Sequence, residues 1–305
     1  MSNILDDNSQ TIQLADGRLL GYIEAGDPEG KALFHFHGLN SSRLEVNIIQ
    51  NEMLKSGIRI IGVDRPGMGL STFQENRKVL DFVDDIVALA DHLAIEKFSV
   101  MGTSSGCKYV LACAYKISHR LLSCHIISGA SPMEFINDDM DKTTRTLILL
   151  LQKAPWLIEP VYWFSFGRYS QEPSKEEKFV SSILFTLGEV DKSLLENDTI
   201  KQMLVSAFRE SYIQGSRGVA YDARFDLLAS SWGFDLKDIE FTPIHFWHGA
   251  LDKGMPLSMA KIMVDKISGT TLRVFDDEGH LSIAFNKIDV IVEDIVKDMN
   301  KNENR

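Results

Sequence analysis

A chain of 305 residues with 44% hydrophobic and 25% charged side chains can bury one sizeable core, and this composition excludes a disordered protein. Its 32 basic and 43 acidic residues give a net charge of −11. Because this charge repels phosphate backbones and anionic lipid, we expect neither a nucleic acid nor a membrane as a partner.

The first seven residues, Met1 to Asp7, carry neither the basic nor the apolar segment of a signal peptide,. We therefore expect a cytoplasmic location. Two stretches between Thr11 and Gly26 then flank the turn dipeptide Asp16-Gly17, and Leu19 to Ile23 has the apolar density of a strand. The sequence predicts that a β-hairpin opens the fold.

Short apolar runs that end in glycine-rich or charged turns follow, as is typical of buried parallel strands. Between them lie segments with apolar residues every three or four positions, which predict amphipathic helices. The predicted strands are 32–36, 58–63, 98–101, 122–127, 244–247 and 272–275, and the predicted helices are 79–93, 105–117, 257–267 and 283–299. This alternation indicates an α/β fold with a doubly wound, mostly parallel sheet.

The alternation stops between Ser131 and Glu240, where the sequence reads as helical. We predict a core of residues 1–130 and 241–305 with a helical cap, residues 131–240, inserted late in the sheet. Aromatic side chains crowd one part of this cap. Trp156, Trp163 and Phe164 are candidates for a wall that binds an apolar acyl or ring group of a small-molecule substrate, and packing within the cap is the alternative.

The string Gly102-Thr103-Ser104-Ser105-Gly106 lies where a predicted strand meets a predicted helix. In such a G-x-S-x-G turn, the glycines two positions before and after the serine relieve crowding and expose the hydroxyl above the sheet. Ser104 is therefore the candidate nucleophile. The alternative is a Gly-Ser turn that only joins the strand to the helix.

A serine hydroxyl is a poor nucleophile unless a base removes its proton and an acid orients that base. Asp252 follows one predicted strand near the C-terminus, and His280 follows the next. The chain order Ser104, Asp252, His280 is one of the known orders of a catalytic triad. Asp277 is the alternative acid, although its place three residues before His280 puts both on one loop.

Five ordered segments give the chain a resemblance to the α/β-hydrolase fold superfamily, in the lidded branch that contains esterases, lactonases and aminopeptidases. They are His37-Gly38-Leu39, the run from Asp64 to Ser71, the Ser104 turn, the run from His248 to Asp252, and Gly279-His280. The resemblance implies an oxyanion hole formed by the backbone N–H groups of Leu39 and Ser105, with Asn40 as the alternative to Leu39. It implies a structural role for the run from Asp64 to Ser71.

We predict no metal and no cofactor. The pair His35/His37 lacks an Asp-His continuation, and His245 and His248 would face opposite sides of a strand,. The three cysteines have neither zinc-site nor disulfide spacing, and no complete nucleotide-binding fingerprint is present,.

The resemblance implies a serine hydrolase that cleaves an ester, thioester or lactone through a Ser-His-Asp triad and an acyl-enzyme intermediate. Serine at the elbow argues against haloalkane dehalogenases and epoxide hydrolases, which have aspartate there. One alternative is an aminopeptidase like the proline iminopeptidases, although these usually carry an aromatic residue where this chain has Ser105. The other is a ligand-sensing or signalling protein of low turnover on the same fold.

Overall fold

The structure, a computed structural model, describes residues 8–135, 138–140, 142–184, 187–228 and 232–302. Residues 1–7, where no signal peptide is predicted, lie outside the described residues. Within the described part, eight strands form one sheet. These strands are β1 Ser9–Gln13, β2 Leu19–Gly26, β3 Lys31–Phe36, β4 Ile58–Val63, β5 Phe98–Thr103, β6 Leu121–Ile127, β7 Ile244–Gly249 and β8 Thr270–Phe275.

The sheet is mostly parallel, with the strand order β1-β2-β4-β3-β5-β6-β7-β8. The predicted hairpin is confirmed, since β1 pairs antiparallel with β2 and Ser9 lies opposite Ile23. Strand β2 is also antiparallel to β4, and every later pair is parallel. Each predicted strand is present, and β8 begins two residues before the predicted start.

The helices of the described residues are α1 Gln50–Lys55, α2 Asp81–His92, α3 Cys107–Lys116, α4 Lys142–Lys153, α5 Ile158–Tyr162, α6 Arg168–Ser170, α7 Glu176–Leu184, α8 Glu189–Leu194, α9 Asp198–Ser211, α10 Arg217–Leu227, α11 Leu257–Lys266, α12 Ser282–Asn286 and α13 Ile288–Asn302. Helices α2 and α3 pack on one face of the sheet, and α1 and α13 pack on the other. Successive residues of β3 face opposite sides, because Phe34 packs with α2 and α3 whereas Leu33 packs with α1 and α13,. The doubly wound arrangement is thereby confirmed.

The helices α4 to α10 lie between β6 and β7 in the chain and replace the strand–helix alternation there, as the sequence predicts. We refer to residues 131–240 as the insert. The assignment of the insert as a separate cap on a core of 1–130 and 241–305 stays a prediction. Among the described residues, no helix combines the length and apolarity that crossing a bilayer requires.

Candidate active site

Ser104 lies in a sharp turn between β5 and α3. Its φ of +49° is in the left-handed region, which is rare and strained for a residue with a side chain,. A Cβ on Gly102 would lie 2.8 Å from the backbone of Gly106, and a Cβ on Gly106 would overlap the carbonyl oxygen of Phe36. Only glycine fits at both positions, and the turn can therefore hold Ser104 at the end of the strand.

A carboxylate and an imidazole meet after β7 and β8. The Nδ1 of His280 lies 2.7 Å from the Oδ2 of Asp252, and Asp252 is buried. The other oxygen, Oδ1, accepts hydrogen bonds from the backbone N–H groups of Gly254 and Met255 at 2.9 and 2.8 Å. With its proton on Nδ1, the ring of His280 has a free Nε2 that can accept a proton.

The alternative acid, Asp277, lies elsewhere. Its side chain is 73% exposed and forms an ion pair with Lys287 at 3.1 Å. The hydrogen bonds described for Asp277 do not include one to His280. The structure thus brings Asp252, and not Asp277, to the imidazole.

The pKa of His280 is raised above its ordinary value. Burial alone would lower the pKa, but the negative charge of Asp252 and its hydrogen bond favour the imidazolium and outweigh burial, and Asp191 and Glu45 add to the effect,. A second histidine, His248, lies 3.6 Å from Asp252, and burial lowers its pKa. The two rings therefore differ in basicity, and His280 is the better proton acceptor.

Ser104, Asp252 and His280 line one cavity of about 1430 Å³. The predicted oxyanion residues Leu39 and Ser105, and the alternative Asn40, lie on the same wall. Much of the remaining wall comes from apolar side chains of the insert: Leu147, Ile148, Leu151, Val161, Tyr162, Phe166, Ile183, Leu204, Phe208 and Leu227. The insert therefore closes part of the space next to the candidate nucleophile.

The three aromatic candidates for substrate binding lie in different places. Phe164 lines the cavity. Trp156 and Trp163 are 70% and 54% exposed and are not among the residues that line it. The sequence identifies these aromatic residues but contains no signal for the direction in which each one points.

The turn after β3 is held by charged groups. The carbonyl oxygen of Gly38 accepts a hydrogen bond from the guanidinium of Arg65 at 2.6 Å, and its N–H donates to Glu45 at 3.0 Å. The C=O and N–H of one peptide unit point in opposite directions, so the bond to Arg65 turns the N–H of Leu39 away from that side chain. Burial alone would raise the pKa of Glu45, but the hydrogen bond from His35 and the other interactions that favour the carboxylate together outweigh burial and lower the pKa to about 2.

A buried ionic cluster lies behind Ser105. The Ser105 hydroxyl donates to Asp226 at 2.5 Å and accepts from Lys108. Lys108 also contacts Asp222 at 3.1 Å. Asp222 further binds the guanidinium groups of Arg65 at 2.8 Å and Arg77 at 2.6 Å. These six residues, Arg65, Arg77, Ser105, Lys108, Asp222 and Asp226, are called the ionic cluster below.

The cluster joins the insert to the residues around the nucleophile turn, since Asp222 and Asp226 belong to α10 of the insert. Burial alone would raise the pKa of Asp222, but Arg65, Lys108 and Arg77 outweigh it and hold the pKa well below the ordinary value. This cluster is not among the features predicted from the sequence. Two features of the sequence could have indicated it. Lys108 is a charged residue in a largely apolar helical run, and Asp222 and Asp226 are four residues apart, which puts both on one helical face,.

Residues 31–287 match the family model of the alpha/beta hydrolase fold. The chain is 23% identical over 288 residues to a putative proline iminopeptidase of Mycoplasma pneumoniae, which covers 88% of this chain and 91% of that protein. It is 34% identical over 122 residues to the dihydrolipoyllysine-residue acetyltransferase component of the acetoin cleaving system of Pseudomonas putida, a match over 40% of this chain that spans only 33% of that protein.

Among solved structures, an esterase from Exiguobacterium antarcticum superposes with a TM-score of 0.69 at 20% identity, over 94% of this chain and 98% of that one. At this identity the likeness concerns the fold. Together with the family match, it confirms the fold family that the five sequence segments indicate.

We expect Asp222→Asn to destabilise the protein by about 3 to 5 kcal/mol, because it leaves the buried cations of the ionic cluster with too little compensating charge. The control is Glu75→Gln, which breaks an exposed ion pair. Its partner Arg217 lies on α10, as Asp222 does, and the side chains of Arg217 and Glu75 are 57% and 69% exposed. Its cost should stay below about 1 kcal/mol. Urea unfolding followed by circular dichroism measures both, and equal losses would contradict the assignment of a buried ionic connection.

Proposed function

The chain belongs to the α/β-hydrolase fold family, and on that premise we propose that it is a serine hydrolase that cleaves a carboxylic ester, thioester or lactone. The observation that carries this proposal is the hydrogen-bonded pair of His280 and Asp252, whose imidazole lines the same cavity as Ser104. A base oriented by a buried acid, next to a serine in a strained turn, is what activation of a hydroxyl requires.

In the proposed reaction, the Ser104 hydroxyl attacks the substrate carbonyl carbon while Nε2 of His280 takes its proton. Asp252 keeps the other ring proton on Nδ1 and stabilises the imidazolium. The imidazolium then gives its proton to the leaving alcohol or thiol as the bond to the carbonyl breaks. A water molecule then attacks the carbonyl carbon of the acyl-serine while His280 takes its proton. The imidazolium returns this proton to the oxygen of Ser104 as the acyl–oxygen bond breaks, and the acid product leaves.

The oxyanion of each tetrahedral intermediate is assigned to the N–H groups of Leu39 and Ser105. Two contacts support this assignment. The bond from Arg65 to the Gly38 carbonyl fixes the peptide that carries the Leu39 N–H, and the ionic cluster fixes the side chain of Ser105. Donors that are already oriented stabilise the developing charge without reorganisation.

The substrate class follows from the chemistry of the cavity wall. Apolar side chains of the insert favour an apolar acyl or ring group,. An aminopeptidase must also bind an ammonium group. Among the described residues, four carboxylates line the cavity: Glu45, Asp139, Asp226 and Asp252. Glu45 and Asp226 accept hydrogen bonds from Gly38 and Lys108, respectively. Asp252 binds His280, and Asp139 also has a partner within the protein. This internal pairing favours an uncharged ester over a peptide N-terminus.

The second candidate is an aminopeptidase of the proline-releasing kind. It is supported by the similarity to the putative proline iminopeptidase along 88% of the chain. The two candidates share the nucleophile and the base and differ in the leaving group, which is an alcohol or thiol in one and an amine in the other.

We expect a fluorophosphonate probe to modify Ser104, and Ser104→Ala to abolish both labelling and the turnover of p-nitrophenyl esters with no loss of melting temperature. The control is Ser131→Ala, which removes another hydroxyl from the same cavity wall and should keep both activities. Peptide mapping identifies the labelled residue, and esters of increasing chain length rank the acyl preference.

Each other outcome of this experiment has its own meaning. Faster release of p-nitroaniline from proline p-nitroanilide than of p-nitrophenol from any ester would establish the aminopeptidase. An adduct on Ser104 without turnover of either class would indicate a sensing protein. Folded protein without an adduct on Ser104 would refute the proposed nucleophile.

We expect kcat/KM for an ester to rise with pH through a pKa above 6.5, because the neutral imidazole is the active form and Asp252 raises the pKa of His280. Asp252→Asn removes that charge, so the rising limb should move to lower pH while kcat falls by up to about 10⁴-fold. Asp277→Asn is the matched control and should resemble the wild type. A larger loss from Asp277→Asn than from Asp252→Asn would reassign the acid.

A further inference from the structure

A buried carboxylate of the insert contacts the backbone of residues 279–282, which follow β8 and are called the histidine loop below. Asp191 lies in α8 and is fully buried. Its Oδ2 accepts a hydrogen bond from the N–H of His280 at 3.0 Å. Its Oδ1 accepts from the N–H groups of Leu281 at 2.8 Å and Ser282 at 3.0 Å. One side chain thus satisfies three successive backbone donors, and one of them belongs to the candidate base.

We propose that Asp191 is a positioning residue for His280, through which the insert fixes the placement of the base relative to Ser104. Asp191 hydrogen bonds the backbone of His280, while Asp252 orients the ring by its hydrogen bond to Nδ1. Two carboxylates from different parts of the chain therefore have different roles. Asp252 sets the tautomer and rotation of the ring, and Asp191 sets the location of the loop that carries the ring.

Gly279 in the histidine loop leaves the space that the carboxylate of Asp191 occupies. A Cβ on Gly279 would lie 2.6 Å from both carboxylate oxygens of Asp191, so a larger residue would push them away. The N–H of Gly279 donates to the hydroxyl of Ser282 at 2.8 Å, which completes the hydrogen bonding of this loop. Three partly or fully buried N–H groups that lost their acceptor would each cost free energy, so the loop would have to move,.

The carboxylate also acts through its charge. The groups that raise the pKa of His280 are Asp252, Asp191 and Glu45, against the opposing effect of burial. Removal of the Asp191 charge should therefore lower the pKa of His280, although the hydrogen bonds that the described residues donate to Asp191 come from backbone N–H groups. This pKa therefore reports how near the charge of Asp191 lies to the ring, and the kcat of Asp191→Glu, which keeps the charge, reports the positioning.

The role of Asp191 in turnover rests on the proposed hydrolase function, so the test has one readout in activity and one outside it. The variants are Asp191→Asn, which removes the charge, and Asp191→Glu, which keeps the charge but displaces the carboxylate by one methylene. The control is Glu189→Gln on the same helix, whose side chain is 80% exposed and pairs with Lys192. Active sites are titrated with the fluorophosphonate probe so that kcat refers to competent protein.

We expect Asp191→Asn to lower kcat per titrated site by about tenfold to a hundredfold with little change in KM, because a displaced base lies out of reach of the nucleophile while the cavity wall remains. In this variant, the rise of kcat/KM with pH should occur at lower pH than in the wild type. Asp191→Glu should also have a lower kcat, but its kcat/KM should rise over the same pH range as that of the wild type, because its charge remains. Glu189→Gln should match the wild type. If Asp191→Asn does not fold, Asp191→Glu decides the positioning role alone.

The readout outside activity is the pKa of His280, measured by NMR of the imidazole resonances and assigned with His280→Gln. A lower pKa in Asp191→Asn than in the wild type supports the proposal even if the wild type shows no turnover, an outcome that would refute the hydrolase function alone. An unchanged kcat per titrated site together with an unchanged His280 pKa would overturn the proposal and leave Asp191 a purely structural residue.

Discussion

The close approach of β3 to the turn after β5 is the constraint on which the rest of the site depends. The carbonyl of Phe36 occupies the space that a side chain at Gly106 would need, and the backbone of Gly106 in turn excludes a side chain at Gly102. These contacts place the strained residue Ser104 at the end of a buried strand. The turn that carries Leu39 directly follows β3, so the candidate nucleophile and one candidate oxyanion donor are fixed by the same pair of neighbouring strands.

The features that could be predicted from the sequence are those with a local signal. Buried parallel strands are visible as short apolar runs, and polar residues just after them meet at one edge of the sheet. This rule alone predicts that Ser104, Asp252 and His280 lie close together. Asp252 ranks above Asp277 on a separate ground, because Asp277 shares the loop of the histidine and is poorly placed to orient the ring.

The contacts between the insert and the sheet could not be predicted in the same way. Asp191 and Asp226 are acidic residues on helical segments, a pattern that is equally typical of a solvated helical face. Whether they are buried depends on how the insert packs, and no local pattern records that packing. The same reason separates Phe164, which lines the cavity, from Trp163 beside it, which does not line it, although both side chains are more than half exposed.

Carboxylates from three helices of the insert bind groups that lie outside it. Asp191 binds the histidine loop, Asp222 binds the ionic cluster, and Glu210 pairs with the buried Arg43 at 2.7 Å. This has a consequence for the modularity of the chain. An insert grafted from another family member would leave buried cations and amides without their acceptors unless it supplied carboxylates in equivalent places. Exchange of inserts within this family is therefore constrained by charge pairing as well as by shape.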